Sequence, residues 1–477
     1  MELEILCKET IKPITSTSPE LRNLPLCLFD QQAPNIYMQL LYFYTKNNAV
    51  VSSSGCRGRL LKDSLSKALT FYYPFAGRLR DGGNFIDCND MGAIFSEAKL
   101  RCSMLEFMNN FNLEREEILK LTFAVDINGN DPTFNPLLLI QLTQFECGGD
   151  VMFVFCSHKV ADLASLTNFM NDWASIARSS DDGDLPVVSP EINGVRYFPP
   201  ELGTGGDLSG GEDSGTVRRD ENVRSKRLVF EGSKIAALKA MVSEEVKNPT
   251  RVQILAAFIY KAVLSAKYSA TGYNKKILTL VCGTNLCYKG SRPATSLLQL
   301  INLRTRVEPP LPETLTGNII TFFIASSTAV EQREMELCNM VGDMKTSFEE
   351  FCKTFPRNYR DEAWSSVHKL HAKESMETWR SPGERSVYTC TSWCRFPMYE
   401  ADFGWGKPEW ITVPEAPWKN MILLMDAKNG DGIEAMVSLD KEEMAAFEQN
   451  QELLSFCELK TAPQMLSPSA YRLNIYS

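Results

Sequence analysis

The sequence predicts an α/β protein of two domains of similar size, each with a mixed β-sheet flanked by helices. Three observations lead to this prediction. The chain has 477 residues, which is too long for one ordinary hydrophobic core. Strand and helix patterns are mixed without the strict alternation of a doubly wound sheet. A Gly-, Asp- and Ser-rich stretch without periodicity lies near the middle of the chain and separates two halves.

We therefore expect an N-terminal domain over residues 1–198, a flexible crossover over 199–225 and a C-terminal domain over 226–477. The crossover contains PPELGTGGDLSGGEDSGTVRRD. This composition is typical of a flexible connection, because Gly and Ser restrict the backbone little and few apolar side chains are available for burial.

The first half contains a clear hairpin. A strand is predicted at LEILCKETI and a helix over 59–70, where leucines recur on one face, and short strands follow at NFIDCND and AIFSEAKL. The apolar runs PLLLIQLTQFE and VMFVFCSH then flank CGGD, in which Gly148 and Gly149 permit the positive φ of a tight turn. Both runs are apolar on both faces, which predicts strands deep in a sheet.

The hairpin is followed by ADLASLTNFMNDWASIAR, a predicted helix. Its apolar stripe consists of Leu163, Leu166, Met170, Trp173 and Ile176. His158 and Asp162 therefore lie where a buried strand turns into a helix.

The second half opens with KRLVFEGSKIAALKAMV, a strand and then a helix. TRVQILAAFIYKAVLSAKY predicts another helix, in which Thr250 and Gln253 have the spacing of a capping box. NLRTRVEPPLP, GNIITFFIASS and ILLMDAK are further strand candidates.

Charge and composition exclude several classes of partner. The net charge is −9, which disfavours nucleic acid and anionic membranes. No segment approaches the ~18 apolar residues of a membrane-spanning helix. The start, MELEILCKETIKP, lacks the basic and apolar regions of a signal peptide. We therefore expect a cytoplasmic protein without nucleic-acid or membrane partners; it is expected to be a monomer.

The 14 cysteines are scattered singly, with no Cys-x-x-Cys pair, and Cys282/Cys287 and Cys390/Cys394 lack nearby histidines. They are expected to be reduced, mostly buried thiols, and no metal site is predicted.

His158 is the candidate catalytic residue, because it is the only histidine before residue 368 and follows a buried strand. An imidazole titrates near pH ~6.5 and can take a proton from a bound hydroxyl. The alternative is a structural histidine. Asp162 would either orient the ring or form an ion pair with the other half, and Cys156 is a weaker candidate for a covalent nucleophile. The other two histidines, in SSVHKLHAK, are expected at the surface.

SHKVADLASL and YEADFGWGKP, in that order, resemble the two hallmark motifs of the plant BAHD acyltransferases. Further segments resemble the family and occur in its order: KETIKPITSTSPE, SKALTFYYPFAGRLR, IDCNDMGAIFSEAKL, QFECGGD, NLRTRVEPPLP, TGNI and TSWCRFPMYE. Together they cover nearly the whole chain, and they are most similar to the alkaloid O-acetyltransferase branch.

The resemblance implies a chloramphenicol-acetyltransferase-like fold with an active-site channel at the domain interface. It implies acetyl-CoA as cosubstrate and a hydroxyl of an alkaloid or related metabolite as acceptor, which attacks the thioester directly after His158 deprotonates it. Malonyl-CoA or another donor, and a terpenoid or volatile alcohol as acceptor, are the alternatives.

The resemblance also assigns residues. It places Thr391 and Trp393 near the tetrahedral intermediate. It pairs Asp162 with an arginine of NLRTR, either Arg304 or Arg306, in a contact that joins the domains.

Further residues are implied on the CoA side. Those that shape the site are Asp402, Gly404, Trp405 and Gly406. The candidates for binding CoA phosphates are Thr250 and Lys261.

The chain departs from the family pattern in three places. Leu163 stands where the motif usually has Gly, as is common in the alkaloid branch. Residues 277–297, ILTLVCGTNLCYKGSRPATSL, form an extra stretch. Three explanations are open: the stretch loops out at little entropic cost, it displaces Arg304, or it reflects an unremoved intron. If it displaces Arg304, the chain would be an inactive acyl-CoA-binding relative. The terminal TAPQMLSPSAYRLNIYS is expected to be disordered.

Overall fold

The structure is a computed structural model. It describes residues 2–46, 54–80, 83–109, 135–179, 188–200, 222–270, 294–327, 335–355, 357–361, 364, 366, 385–414 and 418–460. These residues form two large sheets and one small sheet. None of the helices in these ranges combines the length and the apolar character that a bilayer crossing requires.

The first large sheet is built mainly from the first half. Its strands are β1 (Leu3–Ile11), β3 (Tyr37–Tyr44), β6 (Ala93–Leu100), β7 (Leu138–Phe145), β8 (Asp150–Ser157) and β13 (Trp410–Thr412). They lie in the order β1-β6-β7-β8-β3-β13. β6 and β7 are parallel and the other neighbours antiparallel, so the sheet is mixed. A small antiparallel sheet contains β2 (Asn23–Pro25), β5 (Phe85–Asp87) and β4 (Arg78–Arg80).

The second large sheet belongs to the second half. Its strands are β9 (Val223–Phe230), β10 (Ala294–Asn302), β11 (Ile320–Ser327), β12 (Arg385–Ser392), β14 (Met421–Asp426), β15 (Ile433–Asp440) and β16 (Glu458–Lys460). Their order is β11-β10-β12-β14-β15-β9-β16. β10, β12 and β14 run parallel and the remaining pairs antiparallel, so this sheet is mixed too.

Helices cover the sheets. They are α1 (Leu28–Gln32), α2 (Ser54–Phe71), α3 (Met104–Asn109), α4 (Leu163–Arg178), α5 (Gly232–Val242), α6 (Arg251–Ala270), α7 (Leu337–Thr354), α8 (Lys441–Phe447) and α9 (Gln451–Phe456). Two hydrophobic cores result, the first core at the first large sheet and the second core at the second large sheet. α2 and α4 pack together in the first core, where Trp173 Nε1 donates to Ser64 Oγ (3.0 Å). α6 is buried along most of its length in the second core.

Two local patterns of the sequence are confirmed. β7 and β8 form the predicted hairpin, in which Gly148 has φ +84°. This is a conformation that a residue with a Cβ rarely adopts. The predicted capping box also forms: Thr250 N–H donates to Gln253 Oε1 (2.9 Å) and Gln253 N–H to Thr250 Oγ1 (3.1 Å).

The strand predicted at NLRTRVEPPLP is wrong. β10 ends at Asn302, and a turn follows in which Arg306 N–H donates to Leu303 O (2.8 Å). Asn302 Oδ1 accepts the Arg304 N–H (3.0 Å), so a side chain takes the place of a ladder partner and ends the strand. Arg304 and Arg306 therefore do not share a strand face.

The two sheets do not follow the predicted domain boundaries. β13 belongs by sequence to the C-terminal domain, yet it pairs with β3 of the first sheet. In the other direction, residues 27–29 and Phe198 pack in the second core. Val223 already begins β9, inside the predicted crossover. Each half thus places a segment in the core of the other, because the apolar side chains of that segment are buried there.

The extra stretch at 277–297 does not displace the following strand. Its last residues begin β10: Ala294 pairs with Arg385 of β12, and residues 295–297 pair with β11. Residues 277–293, most of the crossover, the two histidines of SSVHKLHAK and the terminal segment from 461 onwards lie outside the described residues.

Candidate active site

His158 follows the end of β8 and is half-buried. Its backbone N–H donates to Ile36 O (2.8 Å), which ties this position to the residue just before β3. Its Nδ1 lies 2.8 Å from Oδ1 of Asn318, a residue of the second half. The imidazole is therefore held between the two halves of the chain.

The orientation of the Asn318 amide determines which ring nitrogen carries the hydrogen. Asn318 Nδ2 donates to Asp30 Oδ1 (3.0 Å) and to His158 O (2.6 Å). Both partners present oxygen acceptors, so the flipped amide would place its own oxygen against two acceptors. Asn318 Oδ1 therefore faces the ring, Nδ1 must donate to it, and the lone pair lies on Nε2.

Burial lowers the pKa of the His158 imidazole, and the Asp162 charge and the Asn318 bond offset this shift only in part. The ring is consequently neutral above about pH 6.5, the ordinary imidazole pKa. A neutral ring with the lone pair on Nε2 can accept a proton there, as a general base must.

Asp162 forms a buried ion pair with Arg304. Arg304 Nη1 donates to Asp162 Oδ2 (2.6 Å) and Nη2 to Oδ1 (3.1 Å), and the side chains are 3% and 4% exposed. Arg306 Nη1 donates instead to Asn302 O (2.5 Å). The partner of Asp162 is therefore Arg304, and the stretch at 277–297 has not displaced it.

Asp162 has no role in orienting the imidazole by direct contact. Its oxygens also accept from Ser165 N–H and Oγ (2.9 Å each) and from Ile319 N–H (3.1 Å). Burial by itself would raise the pKa of Asp162, but Arg304 and these donors hold it below its ordinary value. Asp162 is thus an ionised N-cap of α4 that binds the second half.

Arg304 extends the same network. Its Nε and Nη2 donate to Leu315 O (3.1 and 2.9 Å), and Nη2 also donates to Gly317 O (3.1 Å) and Ser165 Oγ (3.0 Å). Ser165 Oγ in turn accepts from Gly317 N–H (3.1 Å). The backbone over 315–319, which carries Asn318, is therefore fixed to the start of α4.

Thr391 and Trp393 lie on the second sheet and just beyond it. Thr391 is half-buried in β12 and opposite Leu423 of β14, whereas the preceding Cys390 is fully buried in the second core. Because side chains alternate along a strand, Thr391 faces away from that core. The Trp393 ring packs on the first core. Within the described residues neither side chain hydrogen-bonds to His158, so their role stays a prediction.

The DFGWG residues form a turn that packs into the first core. Asp402 Oδ1 accepts from the N–H groups of Gly404 (2.8 Å) and Gly406 (2.9 Å), which have φ of +106° and +111°. The turn buries Trp405, 4% exposed, under the Arg57 guanidinium at 5.2 Å. This arrangement suits a structural role.

Thr250 and Lys261, the residues expected to bind the CoA phosphates, both have partners within the chain. The Thr250 hydroxyl caps α6, as described above. Lys261 Nζ pairs with Glu452 at 2.7 Å. An incoming phosphate would have to compete with that carboxylate, so the assignment of Lys261 gains no support from the contacts.

The covalent alternative is disfavoured by the surroundings of Cys156. Its side chain is fully buried in the first core, and burial raises the pKa of the thiol. A thiol that cannot ionise is a poor nucleophile.

One group of potential metal ligands occurs among the described residues: Cys7, Glu9 and Glu97. Lys62 Nζ lies 2.6 Å from Glu9 and 3.1 Å from Glu97. An ammonium group therefore already provides the positive charge at this surface position.

Two residues of the site were missed by the sequence analysis, Asn318 and Asp30. TGNI resembled a family segment, but nothing in it indicated a contact with His158, 160 residues away. Asp30 lies 288 residues from Asn318. No local pattern relates residues so distant in the chain.

Comparison with known families places the chain in a class of transferases. A model described as the Transferase family matches residues 1–454, and the chain belongs to this family, the BAHD acyltransferases. Its members transfer acyl groups from acyl-CoA to small-molecule acceptors. The resemblance read from the motifs is confirmed.

Particular relatives can be named. A 17,18-epoxy-17-hydroxycur-19-ene N-malonyltransferase of Strychnos nux-vomica is 33% identical over 460 residues, 96% of this chain and 91% of that protein. Stemmadenine O-acetyltransferase of Catharanthus roseus is 30% identical over 456 residues, 93% and 96% of the two chains.

The crystal structure of vinorine synthase, an enzyme known from Rauvolfia serpentina, superposes with a TM-score of 0.78 at 30% identity. The match covers 97% of this chain and all of that one. The predicted fold of two α/β domains with mixed sheets is therefore confirmed.

Proposed function

We propose that this protein transfers the acetyl group of acetyl-CoA to a hydroxyl of an alkaloid or a related plant metabolite, with His158 as general base. The observation that carries the proposal is the bond between His158 Nδ1 and Asn318 Oδ1 (2.8 Å), which leaves the lone pair of a neutral imidazole on Nε2. The relation to an alkaloid O-acetyltransferase supports the choice of donor and acceptor.

The reaction proceeds by direct transfer. The acceptor hydroxyl donates its proton to His158 Nε2 while its oxygen attacks the thioester carbonyl carbon, and a tetrahedral oxyanion forms. The C–S bond then breaks, and the proton passes from the imidazolium to the CoA thiolate, giving an ester and free CoA. General-base catalysis of this kind contributes about 10²–10⁴-fold, and holding both substrates together contributes more.

The neighbours of His158 take defined parts. Asn318 Oδ1 accepts from Nδ1–H throughout and stabilises the imidazolium. Thr391 and Trp393 are assigned to the surroundings of the oxyanion. Asp162 and Arg304 hold the backbone that carries Asn318, and Asp402, Gly404, Trp405 and Gly406 shape the CoA side.

The test is release of CoA from acetyl-CoA with a panel of alkaloid alcohols, for wild type, His158→Ala and Cys156→Ala. We expect CoA release that depends on the acceptor, a loss of about 10²–10⁴-fold in His158→Ala and activity retained in Cys156→Ala. An active His158→Ala variant, or an acyl-enzyme detected by mass spectrometry without acceptor, would contradict the proposed mechanism.

A second donor deserves a direct comparison, because one relative is an N-malonyltransferase. The same panel, extended to amine acceptors, should be offered acetyl-CoA and malonyl-CoA together at equal concentration. Preference for the malonyl product would change the proposed donor and leave the role of His158 unaltered.

A further inference from the structure

We infer that Asp30 is a positioning residue for the acyl transfer: its carboxylate holds the Asn318 amide in the orientation that keeps His158 in the Nδ1–H tautomer. This inference rests on the proposed role of His158 as general base. Asp30 does not contact the imidazole, and it acts through Asn318.

Asp30 reaches the second half from α1. It is 7% exposed, and its Oδ1 accepts both the backbone N–H of Asn318 (2.6 Å) and the side-chain Nδ2–H (3.0 Å). One carboxylate oxygen thereby fixes the backbone and the amide of the same residue. Its Oδ2 accepts from Cys27 N–H (3.3 Å), the capping contact of α1.

This contact decides the cost of turning the amide over. With Asp30 present, a flipped Asn318 would set its oxygen against the Asp30 carboxylate and against His158 O, and two hydrogen bonds would be lost. Without Asp30, only the bond to His158 O opposes the flip. A flipped amide presents Nδ2–H to the ring, so Nδ1 becomes the acceptor and the hydrogen moves to Nε2. The nitrogen that should take the substrate proton is then blocked.

The close approach of Asp30 depends on the residue before Asn318. Gly317 has φ +129°, and a Cβ at this position would lie 3.1 Å from Asp30 Oδ1. On the other side of Asn318, Asp162 accepts the Ile319 N–H (3.1 Å). Two carboxylates of the first half thus bind consecutive backbone amides of the second half, with the histidine-binding residue between them.

Helix capping alone does not explain the position of Asp30. Capping uses Oδ2, whereas Oδ1 binds Asn318. Burial raises the pKa of Asp30 although four hydrogen-bond contacts, two with Cys27 and two with Asn318, oppose the shift. A carboxyl group buried without a cationic partner within the described ranges is costly. Such a placement is expected where a directed acceptor is needed for function.

The experiment reads the tautomer of His158 without any substrate. The chain has three histidines, so protein labelled with ¹⁵N-histidine gives few ring signals, and His158→Ala assigns the relevant one. Two-bond ¹⁵N–¹H spectra at about pH 8, above the ordinary imidazole pKa, distinguish Nδ1–H from Nε2–H. The variants are Asp30→Asn, Asp30→Ala and the matched control Glu106→Gln. Glu106 has the same capping-box position at the start of α3, where it accepts from Ser103 N–H (2.7 Å).

We expect the Nδ1–H tautomer in wild type and Glu106→Gln, and a shift of about tenfold toward Nε2–H in both Asp30 variants, as loss of a bond to a charged group predicts. With an acceptor in hand, kcat should fall about 10-fold or more while KM for acetyl-CoA stays unchanged.

An unchanged tautomer in folded Asp30 variants would overturn the inference and leave the proposed function intact. Loss of folding in both variants would overturn it as well, because Asp30 would then be a structural residue. An Nε2–H tautomer in wild type would contradict both the inference and the proposed base. An active His158→Ala variant would contradict the proposed function alone.

Discussion

Two regions join the halves of this molecule, and different forces hold them. The polar junction, residues 157–165 with 302–319, consists of the Asp162–Arg304 pair and hydrogen bonds between 2.6 and 3.3 Å. The aromatic junction, residues 398–413 with β3 and α4, combines ring contacts with the backbone pairing of β13 and β3. Phe403 meets Trp173 with centroids 4.7 Å apart, and Trp410 stacks on Phe43 at 5.0 Å.

The difference shows how one interface serves two purposes. Apolar burial is roughly proportional to area and has no direction, so the ring contacts of the aromatic junction stabilise the interface and tolerate small shifts. Hydrogen bonds weaken steeply when distance or angle changes, so the polar junction fixes individual atoms. A catalytic base needs the second kind of contact, and His158, the proposed base, lies at the polar junction.

The largest effect on stability is expected at the polar junction. Arg304→Ala leaves Asp162 buried without its cation, which should lower the free energy of unfolding by about 3–5 kcal/mol. Chemical denaturation measures this value. Lys407→Ala, which breaks an exposed pair with Glu400 beside the aromatic junction, should cost at most ~1 kcal/mol. Equal effects of the two substitutions would contradict the comparison.

At the aromatic junction, Trp405→Ala should lower stability by about 3 kcal/mol through the loss of a buried ring. The folded fraction should keep the His158 tautomer and a nearly normal kcat, because no hydrogen bond of the polar junction is removed. Thermal unfolding together with turnover per folded molecule tests this separation. A large fall in kcat at full folding would show that the two junctions are coupled.

The dependence on pH should follow the polar junction. Activity needs the neutral imidazole, and burial lowers the pKa of His158. kcat/KM with an acceptor that does not titrate should therefore be flat above about pH 6.5 and fall about tenfold per unit only below the lowered pKa. An acid limb above that ordinary value is the contradicting result.

Stability has its own acid dependence. The pKa of Asp162 in the folded state is below its ordinary value. The ionised carboxylate therefore stabilises the fold fully above the ordinary pKa, and this stabilisation is lost as the pH falls through the folded-state pKa. Unfolding measured in this range should show the loss, and Asp162→Asn should remove it.

Apart from the Lys407→Ala control, the smallest effect on stability is expected from Gly406→Ala. A Cβ here would meet nothing within 4 Å, but φ is +111°. The cost is therefore backbone strain alone, about 1–3 kcal/mol, and chemical denaturation measures it. Ala at Gly430, which has φ +74° and equally open space, is the matched control outside both junctions. If only Gly406→Ala lowers the free energy of unfolding, the DFGWG turn requires glycine for a reason other than its positive φ.

Much of the frame could be predicted because its causes are local. The β7–β8 hairpin, α4 with Asp162 at its start and the Thr250 capping box each depend on residues a few positions apart. The pairing of β13 with β3 could not be predicted, because a three-residue strand carries too weak a pattern to choose a partner in another sheet. The choice of Arg304 over Arg306 depended on the turn that ends β10.

The sequence by itself determined the acyltransferase family, the histidine of its first motif and the elements that surround that histidine, since ordered motifs and short-range periodicity specify these. Only the tertiary structure decided how the histidine is held. Asn318, which binds the imidazole, lies 160 residues from His158 in the chain, and Asp30, which binds Asn318, lies 288 residues from Asn318. The direction of a hydrogen bond, and with it the tautomer of His158, depends on which acceptors the folded chain brings within about 3 Å.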